Sequence, residues 1–529
     1  MKKTHITTTK QTAWVAVALL LATLNSGTFA RAGEPPPKST PIAAVVPELD
    51  SMQKWNDMAG DTADPFWADD DNLYHFTCDG RGFGKPKQGR NFCFNKLTGP
   101  DLLHLTGTLV NSMDYGKSDE TGPDGATWKV TGQECIDGVF YAFAVRNIYG
   151  HKSHDPLMRQ TSFNASLIKS TDRGLTWTRG VKENYEAPMW PGPRFGGPGF
   201  IHYGKNGGQV ARDNADKFVY AISNNGFWNG GDDFILGRVR RADLSKLNPA
   251  DWTYYTGGDG SADSAWTKDI AKAKPVLERP AKLGWTAPVF VPALNRYLLV
   301  SWYVTPTLKK WFNPDRVVYD FFEAEHPWGP WTFVSSFDDR FLGKAHMYGP
   351  NLCAKYQEQR GDDVKVDLYT SGCPFNDQPS GLYKNWRIPL TVKTKPLPRT
   401  VTVNDTDPAV RYTGQWQASA KRGYNDFKDD VHYTNTPGDA AEFTFTGTGI
   451  QLLSEKFQDQ GSIDVFIDGK PRGSVNLKQN DFPRLAQIPV FNAQDLPSGS
   501  HTMRIVNTSG DYVALDAFVV TAGPAVAHE

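Results

Sequence analysis

Residues 170–177 read STDRGLTW, a pattern in which each fixed position has a local structural role. An Asp side chain in a tight turn accepts hydrogen bonds from backbone N–H groups a few residues further on, which we predict for Asp172. Gly174 can adopt a positive φ without steric cost. Trp177 then resumes a strand and buries a large ring. The stretch therefore predicts the tip of a β-hairpin.

The pattern Ser-x-Asp-x-Gly-x-Thr-Trp also resembles the Asp-box on the hairpins of sialidase-like β-propellers. In those proteins the Asp-box marks the architecture and lies away from the catalytic residues. The resemblance implies a propeller, and it implies that the chemistry lies elsewhere in the chain.

A phrase that recurs five times also favours a propeller. Each copy has a turn residue, then alternating apolar and aromatic residues, then small or polar ones, as a buried strand does. With one strand before each copy and others after it, the repeats predict an all-β fold, with a five-bladed β-propeller at residues 45–393. The copies are DNLYHFTCDG at 71, DGVFYAFAVRN at 137, DKFVYAISNNG at 216, NRYLLVSWYV at 295 and VDLYTSGC at 366.

The sequence after Leu390 changes to a Pro- and Thr-rich linker. From 401 to 523 about eight short alternating strands without a helical period predict a C-terminal β-sandwich of the jelly-roll type. The phrases FTGTGIQLL, VFIDGK, GSHTMRIVN and YVALDAFVV resemble the galactose-binding-like modules attached to many polysaccharide-degrading enzymes. The resemblance implies a module that binds carbohydrate or, alternatively, one that only packs against its neighbour.

The N-terminus predicts export. Residues 1–32 combine a basic start, a short apolar run and small residues, which is typical of a secretory signal peptide and predicts a secreted or periplasmic protein. Removing Lys2, Lys3, Lys10 and Arg31 with it leaves 53 basic against 58 acidic residues, a formal charge of −5. This balance does not favour nucleic-acid binding, which needs a basic surface. No second long apolar run follows, so we expect no membrane span.

Five cysteines remain after the predicted cleavage. Because export permits disulfides, we expect Cys78–Cys93 and Cys353–Cys373 to pair, each tying neighbouring strands of one sheet, with Cys135 left alone. The close Cys-x-x-Cys or Cys/His pairs of a zinc site are absent from the sequence. The sequence indicates no cofactor and no metal ligands, and it leaves a structural calcium ion open.

The inner strands of a propeller meet at a central channel, so we look there for the two carboxyls of a glycoside hydrolase. TADPFW at 62–67, followed by DNLY, resembles the opening of arabinanase- and xylosidase-type five-bladed glycosidases, whose Asp before Pro is the general base. The resemblance implies this role for Asp64; capping of a turn is the alternative. Glu134, beside Cys135 on a predicted inner strand, should be desolvated. Since desolvation raises the pKa of a carboxyl, Glu134 is the predicted acid, with a buried structural partner as the alternative.

The third blade offers further candidates in NNGFWNGGDD at 224–233. We predict Asp233 as a third catalytic residue and Asp232 and Trp228 as substrate-binding residues, because aromatic rings stack on the apolar faces of sugars. A solvent-exposed loop is the alternative. Asp79 either closes a turn or binds sugar. The other predicted substrate-binding residues are Asp69, Asp70, Arg194, His346 and Tyr348.

The phrases DNLYHF, GRVRRADL, DWTYYTGG, RYLLVSWY and EAEHPWGPW together resemble a family of secreted bacterial propellers that includes endo-D-arabinanases. The resemblance implies a secreted glycoside hydrolase that cleaves a polysaccharide with paired carboxylates. A polysaccharide lyase acting on a glycan that contains uronic acid is the first alternative, and it would use His346, Tyr348, His202 and Arg194. A propeller that binds carbohydrate without catalysis is the second.

Overall fold

The computed structural model describes most of the chain from residue 36 onward, and the predicted signal peptide, residues 1–32, lies outside the described residues. This part of the chain is almost entirely β, which confirms the all-β prediction. Its helices are short and of the 3₁₀ type. The described residues are 36–85, 90–113, 121–178, 186–208, 213–305, 316–343, 345–372, 380–394, 400–494 and 496–522. The 3₁₀ helices are Leu49–Ser51, Leu102–His104, Gly150–Lys152, Lys205–Gly207, Arg241–Lys246, Pro249–Asp251, Asp263–Ala265, Ile270–Lys272, Pro292–Leu294, Asp339–Leu342, Ser380–Leu382 and Phe427–Asp429.

Residues 44–393 of the described chain form five antiparallel sheets in succession. The first two strands, β1 (Ala44–Pro47) and β2 (Gln53–Lys54), belong to the fifth sheet. The first sheet contains β3 (Ala59–Asp61), β4 (Phe66–Trp67), β5 (Leu73–Gly82), β6 (Cys93–Thr98) and β7 (Thr106–Ser112), and the second contains β8 (Thr127–Ile136), β9 (Val139–Ile148) and β10 (Thr161–Ser170). The third contains β11 (Pro198–Phe200), β12 (Phe218–Asn224), β13 (Gly231–Arg240), β14 (Thr253–Tyr255), β15 (Trp266–Thr267) and β16 (Pro275–Leu283). The fourth contains β17 (Val289–Val291), β18 (Arg296–Thr305), β19 (Arg316–Ala324) and β20 (Thr332–Asp338), and the fifth adds β21 (Met347–Arg360), β22 (Asp363–Gly372) and β23 (Asn385–Lys393).

The recurring sequence phrase corresponds to the second strand of each sheet, namely β5, β9, β12, β18 and β22. Consecutive sheets touch through the strand that precedes each copy: β4 contacts β8, β8 contacts β11, and β17 contacts β21. His202, just after β11, forms a parallel bridge with Val289 of β17, and β21 contacts β4. The contacts therefore run from the first sheet through the fifth and return to the first.

The ring of sheets is completed by the start of the chain. β1 pairs antiparallel with β23, so that Ala44 lies opposite Lys393 and Pro47 lies opposite Leu390. Close approach of inner strands depends on glycine: a Cβ on Gly132 of β8 would lie 2.6 Å from the Cα of Gly199 in β11. Small residues at these positions bring the polar groups of neighbouring inner strands within hydrogen-bonding distance.

The STDRGLTW turn forms largely as its sequence predicts. Asp172 Oδ1 accepts a hydrogen bond from the N–H of Thr176 at 2.9 Å, and Gly174 has a φ of +87°. Trp177 is buried against Phe76 and Phe94, with ring centroids 4.9 and 5.1 Å away. The expected return to a strand is wrong, because Trp177 lies outside the strands and β10 ends at Ser170.

Residues 400–521 form a second group of strands in three sheets. Their apolar side chains pack into one core, which includes Phe443, Leu452 and Phe518. The ring of Phe482 packs edge-on against Trp386 of the fifth sheet at 5.1 Å, so the two groups of strands share an apolar contact. The strands are β24 (Thr400–Asn404), β25 (Val410–Thr413), β26 (Gln417–Ala420), β27 (Asp430–Thr434), β28 (Ala440–Gly447), β29 (Gly449–Lys456), β30 (Ser462–Ile467), β31 (Lys470–Asn476), β32 (Leu485–Ala493), β33 (Gly499–Asn507), β34 (Val513–Leu515) and β35 (Ala517–Thr521).

The two predicted disulfides are wrong. Cys78, Cys93, Cys135 and Cys353 are buried free thiols, and Cys373 lies outside the described residues. In the β5–β6 ladder Cys93 lies opposite Thr77, the residue next to Cys78. Since neighbouring side chains on a strand point to opposite faces, the thiols of Cys78 and Cys93 lie on different faces of the sheet.

Candidate functional site

The structure brings together the two carboxyls that the sequence predicts as an acid and base pair. His202 lies between them: its Nδ1 is 2.7 Å from Glu134 Oε2, and its Nε2 is 3.0 Å from Asp64 Oδ1. The remaining oxygens accept backbone hydrogen bonds, Asp64 Oδ2 from the N–H of Gln133 and Glu134 Oε1 from the N–H of Cys135. We call Asp64, His202 and Glu134 the buried triad. It joins the inner strands of the first three sheets.

Burial controls the electrostatics of the buried triad. Asp64, Glu134 and His202 are 0%, 1% and 1% exposed. Burial raises the pKa of Glu134, as the sequence predicted, although the His202 charge opposes the shift. Burial alone would lower the pKa of His202, but the two carboxylates raise it to about 10, so the ring is an imidazolium at neutral pH. Asp64 and Glu134 are thus enclosed by the protein in this structure, and their catalytic role stays a prediction.

A second set of carboxyls, Asp61 and Asp79, lies in the first sheet beside strands of the second and fifth sheets. Asp61 ends β3, and its Oδ2 accepts a hydrogen bond from the hydroxyl of Tyr348 at the start of β21. Tyr383 also donates to Asp61. Asp61 is 6% exposed. Burial raises its pKa above the usual value, against the opposing effects of the Lys129 charge and the hydroxyl donors, so Asp61 is a carboxyl suited to carry a proton.

Asp79 is the second carboxyl of this set. Its Oδ2 accepts hydrogen bonds from Lys129 Nζ and, at 3.0 Å, from the hydroxyl of Tyr149. Its Oδ1 has no hydrogen-bond partner in the described part of the chain. The side chain is 11% exposed, and the ammonium and phenol donors bind it as a carboxylate. We call Asp61, Asp79, Lys129, Tyr149, Tyr348 and Tyr383 the mouth cluster.

The backbone of the mouth cluster is strained at two positions. Thr62 and Asp79 have φ values of +57° and +49°, a region that residues with a Cβ rarely adopt. The Thr62 N–H donates to Ser371 Oγ at 3.0 Å, which ties the first sheet to the fifth at this point. Strain of this kind concentrates at functional sites, where surrounding contacts hold it in place.

Other predicted residues lie in separate ion pairs of the third sheet. Asp233 pairs with Arg194 at 2.5 Å. Asp232 pairs with Arg159 at 3.0 Å and accepts a hydrogen bond from Asn225 at 2.8 Å. Asp232 and Asp233 do not contact the buried triad or the mouth cluster through these bonds.

Trp228 does not form a sugar-binding platform. The ring is 2% exposed and stacks on Trp285 with centroids 5.2 Å apart, so the substrate-binding prediction is wrong for this residue. The Trp228 side chain is part of the apolar core that also contains Trp285.

Asp69 and Asp70 are held on the side of the ring where the STDRGLTW turn lies. Arg173 of that turn pairs with both, at 2.8 Å to Asp69 and 3.3 Å to Asp70. Tyr74 also donates to Asp70 at 2.8 Å. They follow β4, whereas Asp61 precedes it, and their predicted role in substrate binding stays a prediction.

His346 and Tyr348 separate, although they lie two residues apart. Tyr348 belongs to the mouth cluster, whereas His346 Nδ1 is 2.9 Å from Asp339 Oδ2. Burial raises the pKa of Asp339, and His346 opposes that shift. The histidine and tyrosine that the lyase alternative needs are therefore directed at different carboxyls.

Sequence reasoning missed Asp61, Lys129, Tyr149 and Tyr383. Asp61 lies three residues before Asp64 in the same GDTADP segment, so its position beside an inner strand was available from the sequence. The other three lie at strand ends or in connections, where residue type alone does not distinguish a site residue from a surface residue.

No group of three or more His, Cys, Asp or Glu residues among those described is arranged to hold a metal ion. Over the same residues, we find no helix with the length and apolar character needed to cross a membrane.

No family model matches the chain. Two curated proteins of Flavonifractor plautii align with part of it: an A type blood N-acetyl-alpha-D-galactosamine deacetylase, 35% identical over 115 residues, and an A type blood alpha-D-galactosamine galactosaminidase, 30% identical over 121 residues. The aligned segments cover 22% and 23% of this chain, and only 14% and 11% of those proteins. Over a part of its length, the chain is thus similar to carbohydrate-processing enzymes.

Among solved structures, an exo-beta-1,3-galactanase from Phanerochaete chrysosporium is 11% identical and covers 90% of this chain and 99% of its own. The TM-score is 0.36, which is too low to support a conclusion about function.

Proposed function

We propose that the chain is a glycoside hydrolase, exported from the cytoplasm, that cleaves a polysaccharide at the mouth cluster. The observation that carries the proposal is the pairing of two unlike carboxyls around Lys129: Asp61, whose burial favours the protonated form, and Asp79, which accepts ammonium and phenol donors as a carboxylate. Acid and base catalysis on a glycosidic bond requires two carboxyls, one in an environment that favours its protonated form and one in an environment that favours its ionised form.

In this mechanism Asp61 donates its proton to the glycosidic oxygen as the bond between that oxygen and the anomeric carbon breaks. Asp79 accepts a proton from the water that attacks the anomeric carbon; its Oδ1, which is buried and has no hydrogen-bond partner among the described residues, becomes the acceptor once substrate and water enter beside it. One water is consumed for each bond cleaved. Lys129 stabilises the Asp61 carboxylate after the proton has left, and the hydroxyls of Tyr348 and Tyr383 fix its orientation.

The buried triad has a supporting role in this proposal. His202 joins Asp64 and Glu134 across three inner strands, and the backbone from Asp64 back to Asp61 is short. The triad therefore positions the segment that carries Asp61. A general acid must come within hydrogen-bonding distance of the substrate, and we assign this role to Asp61 because it is the less buried of the two, at 6% exposed against 1% for Glu134.

Incubation of the purified protein with a panel of neutral and uronic-acid-containing polysaccharides, followed by mass spectrometry of the products, tests the reaction. The panel includes a glycan ending in N-acetylgalactosamine, because the Flavonifractor relatives are named for that sugar and its deacetylated form. Fragments that each carry one added water support a hydrolase. Fragments with an unsaturated end indicate the lyase alternative, release of acetate without chain cleavage indicates a deacetylase, and binding without any product indicates a binding propeller.

Substitutions test the residues. We expect Asp61→Asn and Asp79→Asn each to lower kcat by about 10²-fold or more, with the fold retained. Asp172→Asn, in the STDRGLTW turn, is the matched control and should keep full kcat. If Asp64→Asn or Glu134→Gln abolishes turnover in folded protein while Asp61→Asn does not, the buried triad is catalytic and the assignment to the mouth cluster is refuted.

A further inference from the structure

Three cationic side chains lie beside the mouth cluster, and we call Lys54, Arg81 and Lys384 the basic rim. Each head group is held by a backbone carbonyl, which fixes its position; the carboxylates of Asp481 and Asp57 offset part of the charge of Lys54 and Lys384. The chain as a whole has a formal net charge of −1, so this group does not reflect a general excess of positive charge. Lys54 Nζ donates to the carbonyl oxygen of Asp481, Arg81 Nη1 to that of Gly84, and Lys384 Nζ to those of Asn56 at 2.8 Å and Met58 at 2.6 Å.

The members of the basic rim lie close enough to repel one another. Burial lowers the pKa of Lys384, and the charges of Arg81 and Lys54 lower it further, while Asp57 opposes them. Clustered like charges destabilise a folded chain. An arrangement that keeps three cations together at this cost is suited to attract a negative ligand.

The basic rim is continuous with the mouth cluster along the chain. Arg81 follows Asp79 by two residues at the end of β5, and Lys384 directly follows Tyr383, which donates to Asp61. Lys54 extends the rim to the second group of strands, where its Nζ lies 5.4 Å from the ring of Phe482. A polysaccharide bound at Asp61 and Asp79 therefore passes the three cations.

We propose that the substrate is an anionic polysaccharide and that the basic rim is a subsite for its negative group, either the carboxylate of a uronic acid or a sulfate ester. This inference rests on the proposed function, which supplies the cleavage reaction, but the preference for a negatively charged polymer can be tested separately from the reaction type. Guanidinium and ammonium groups bind both kinds of anion through charge-assisted hydrogen bonds. The subsite holds the polysaccharide across the junction of the two groups of strands while the neighbouring glycosidic bond is cleaved.

Two matched pairs of polymers test the preference: polygalacturonate with its carboxyl-reduced form, and a sulfated galactan with its desulfated form. We expect kcat/KM on at least one anionic polymer to exceed that on its neutral counterpart by about 10-fold or more, and the advantage to fall as salt rises from about 0.05 to 0.5 M. The pair that shows the advantage identifies the anionic group. Equal or higher activity on both neutral forms overturns the inference.

Arg81→Gln should remove most of this advantage on the anionic polymer and change kcat/KM on the neutral polymer less than about twofold. Lys54→Gln is a second variant, at the end of the basic rim that lies beside the second group of strands, where Lys54 Nζ donates to the carbonyl oxygen of Asp481. It should reduce the advantage in part. Lys246→Gln removes a remote surface charge and should have no effect. An advantage that survives both Arg81→Gln and Lys54→Gln overturns the subsite.

The outcomes separate this inference from the proposed function. Cleavage of neutral polymers with addition of water keeps the hydrolase and rejects the basic rim. If polygalacturonate gives unsaturated fragments, and Arg81→Gln slows their formation, the hydrolase is rejected and the basic rim is supported. If no polymer is cleaved, affinity gel electrophoresis decides: retardation by the anionic polymer that depends on Arg81 supports the rim, and equal retardation by its neutral form overturns it.

Discussion

Replacement of His202 by Gln tests whether the buried triad holds the inner strands together. The imidazolium has a carboxylate at 2.7 Å on one side and at 3.0 Å on the other, and all three side chains are buried. A Gln side chain supplies no positive charge, so the variant leaves Asp64 and Glu134 as uncompensated buried carboxyls. Removing one partner of a buried ionic group costs about 3–5 kcal/mol.

The expected change in melting temperature follows from the size of the ring. For about 350 residues, 44–393, the entropy of unfolding is about 0.7 kcal/mol per kelvin, so a loss of 3–5 kcal/mol lowers the midpoint by about 4–7 °C. Trp416 is the sole tryptophan between residues 400 and 521, so tryptophan fluorescence follows the unfolding of the ring of sheets. His432→Gln, which removes a histidine paired with Asp405 in the second group of strands, is the matched control.

The stability that His202 contributes should decrease at high pH. The pKa of His202 is raised to about 10 in the folded chain, so its contribution to stability is fully present below the unfolded value of about 6.5 and is lost as pH rises through 10. The difference in midpoint between wild type and His202→Gln should therefore narrow between pH 7 and 10. Adding Glu134→Gln to the variant removes one buried charge and should recover part of the loss. The reasoning is refuted if the melting temperatures of wild type and His202→Gln differ by less than about 1 °C at pH 7, or if their difference does not narrow between pH 7 and 10.

Three further predictions concern other parts of the chain. Burial raises the pKa of Asp516 to about 8, so the stability of the second group of strands should rise as pH falls from 9 to 5, and Asp516→Asn should flatten this dependence in calorimetry of the full chain. Gly174→Ala should cost about 2 kcal/mol or more in thermal unfolding, because φ is +87° and the new Cβ would lie 2.1 Å from Phe94 Cε1. Trp228→Ala should lower the free energy of unfolding by about 3–5 kcal/mol, because its stacking on Trp285 is lost. In steady-state kinetics the folded variant should keep the KM of the wild type. A raised KM would restore Trp228 as a sugar-binding residue.

The all-β class could be predicted from the sequence, because the repeated phrase corresponds to the second strand of each of the five sheets between residues 44 and 393. Placement of Asp64 and Glu134 on adjacent inner strands also follows from that repeat. Their depth in the ring does not follow, because it depends on how closely β8 and β11 pack at Gly132 and Gly199. His202 as the bridging residue depends on the same packing.

Errors at single residues have a common cause. The face on which a side chain lies changes with a shift of one residue in strand register. That parity separates Cys78 from Cys93, although both lie on neighbouring strands. Likewise, the aromatic residue of a Gly-rich turn faces the core or the solvent according to how the turn folds, and Trp228 faces the core. The sequence does not specify either choice locally.

The pairing of β1 with β23 has a consequence for biosynthesis. Ala44 is among the first residues of the ring to leave the ribosome, and its partner Lys393 is the last. Until β23 has been made, β1 has no ladder to join, and the fifth sheet lacks an edge. Pairing between such distant segments slows folding. The ring therefore acquires its final cooperativity only after synthesis of the whole region.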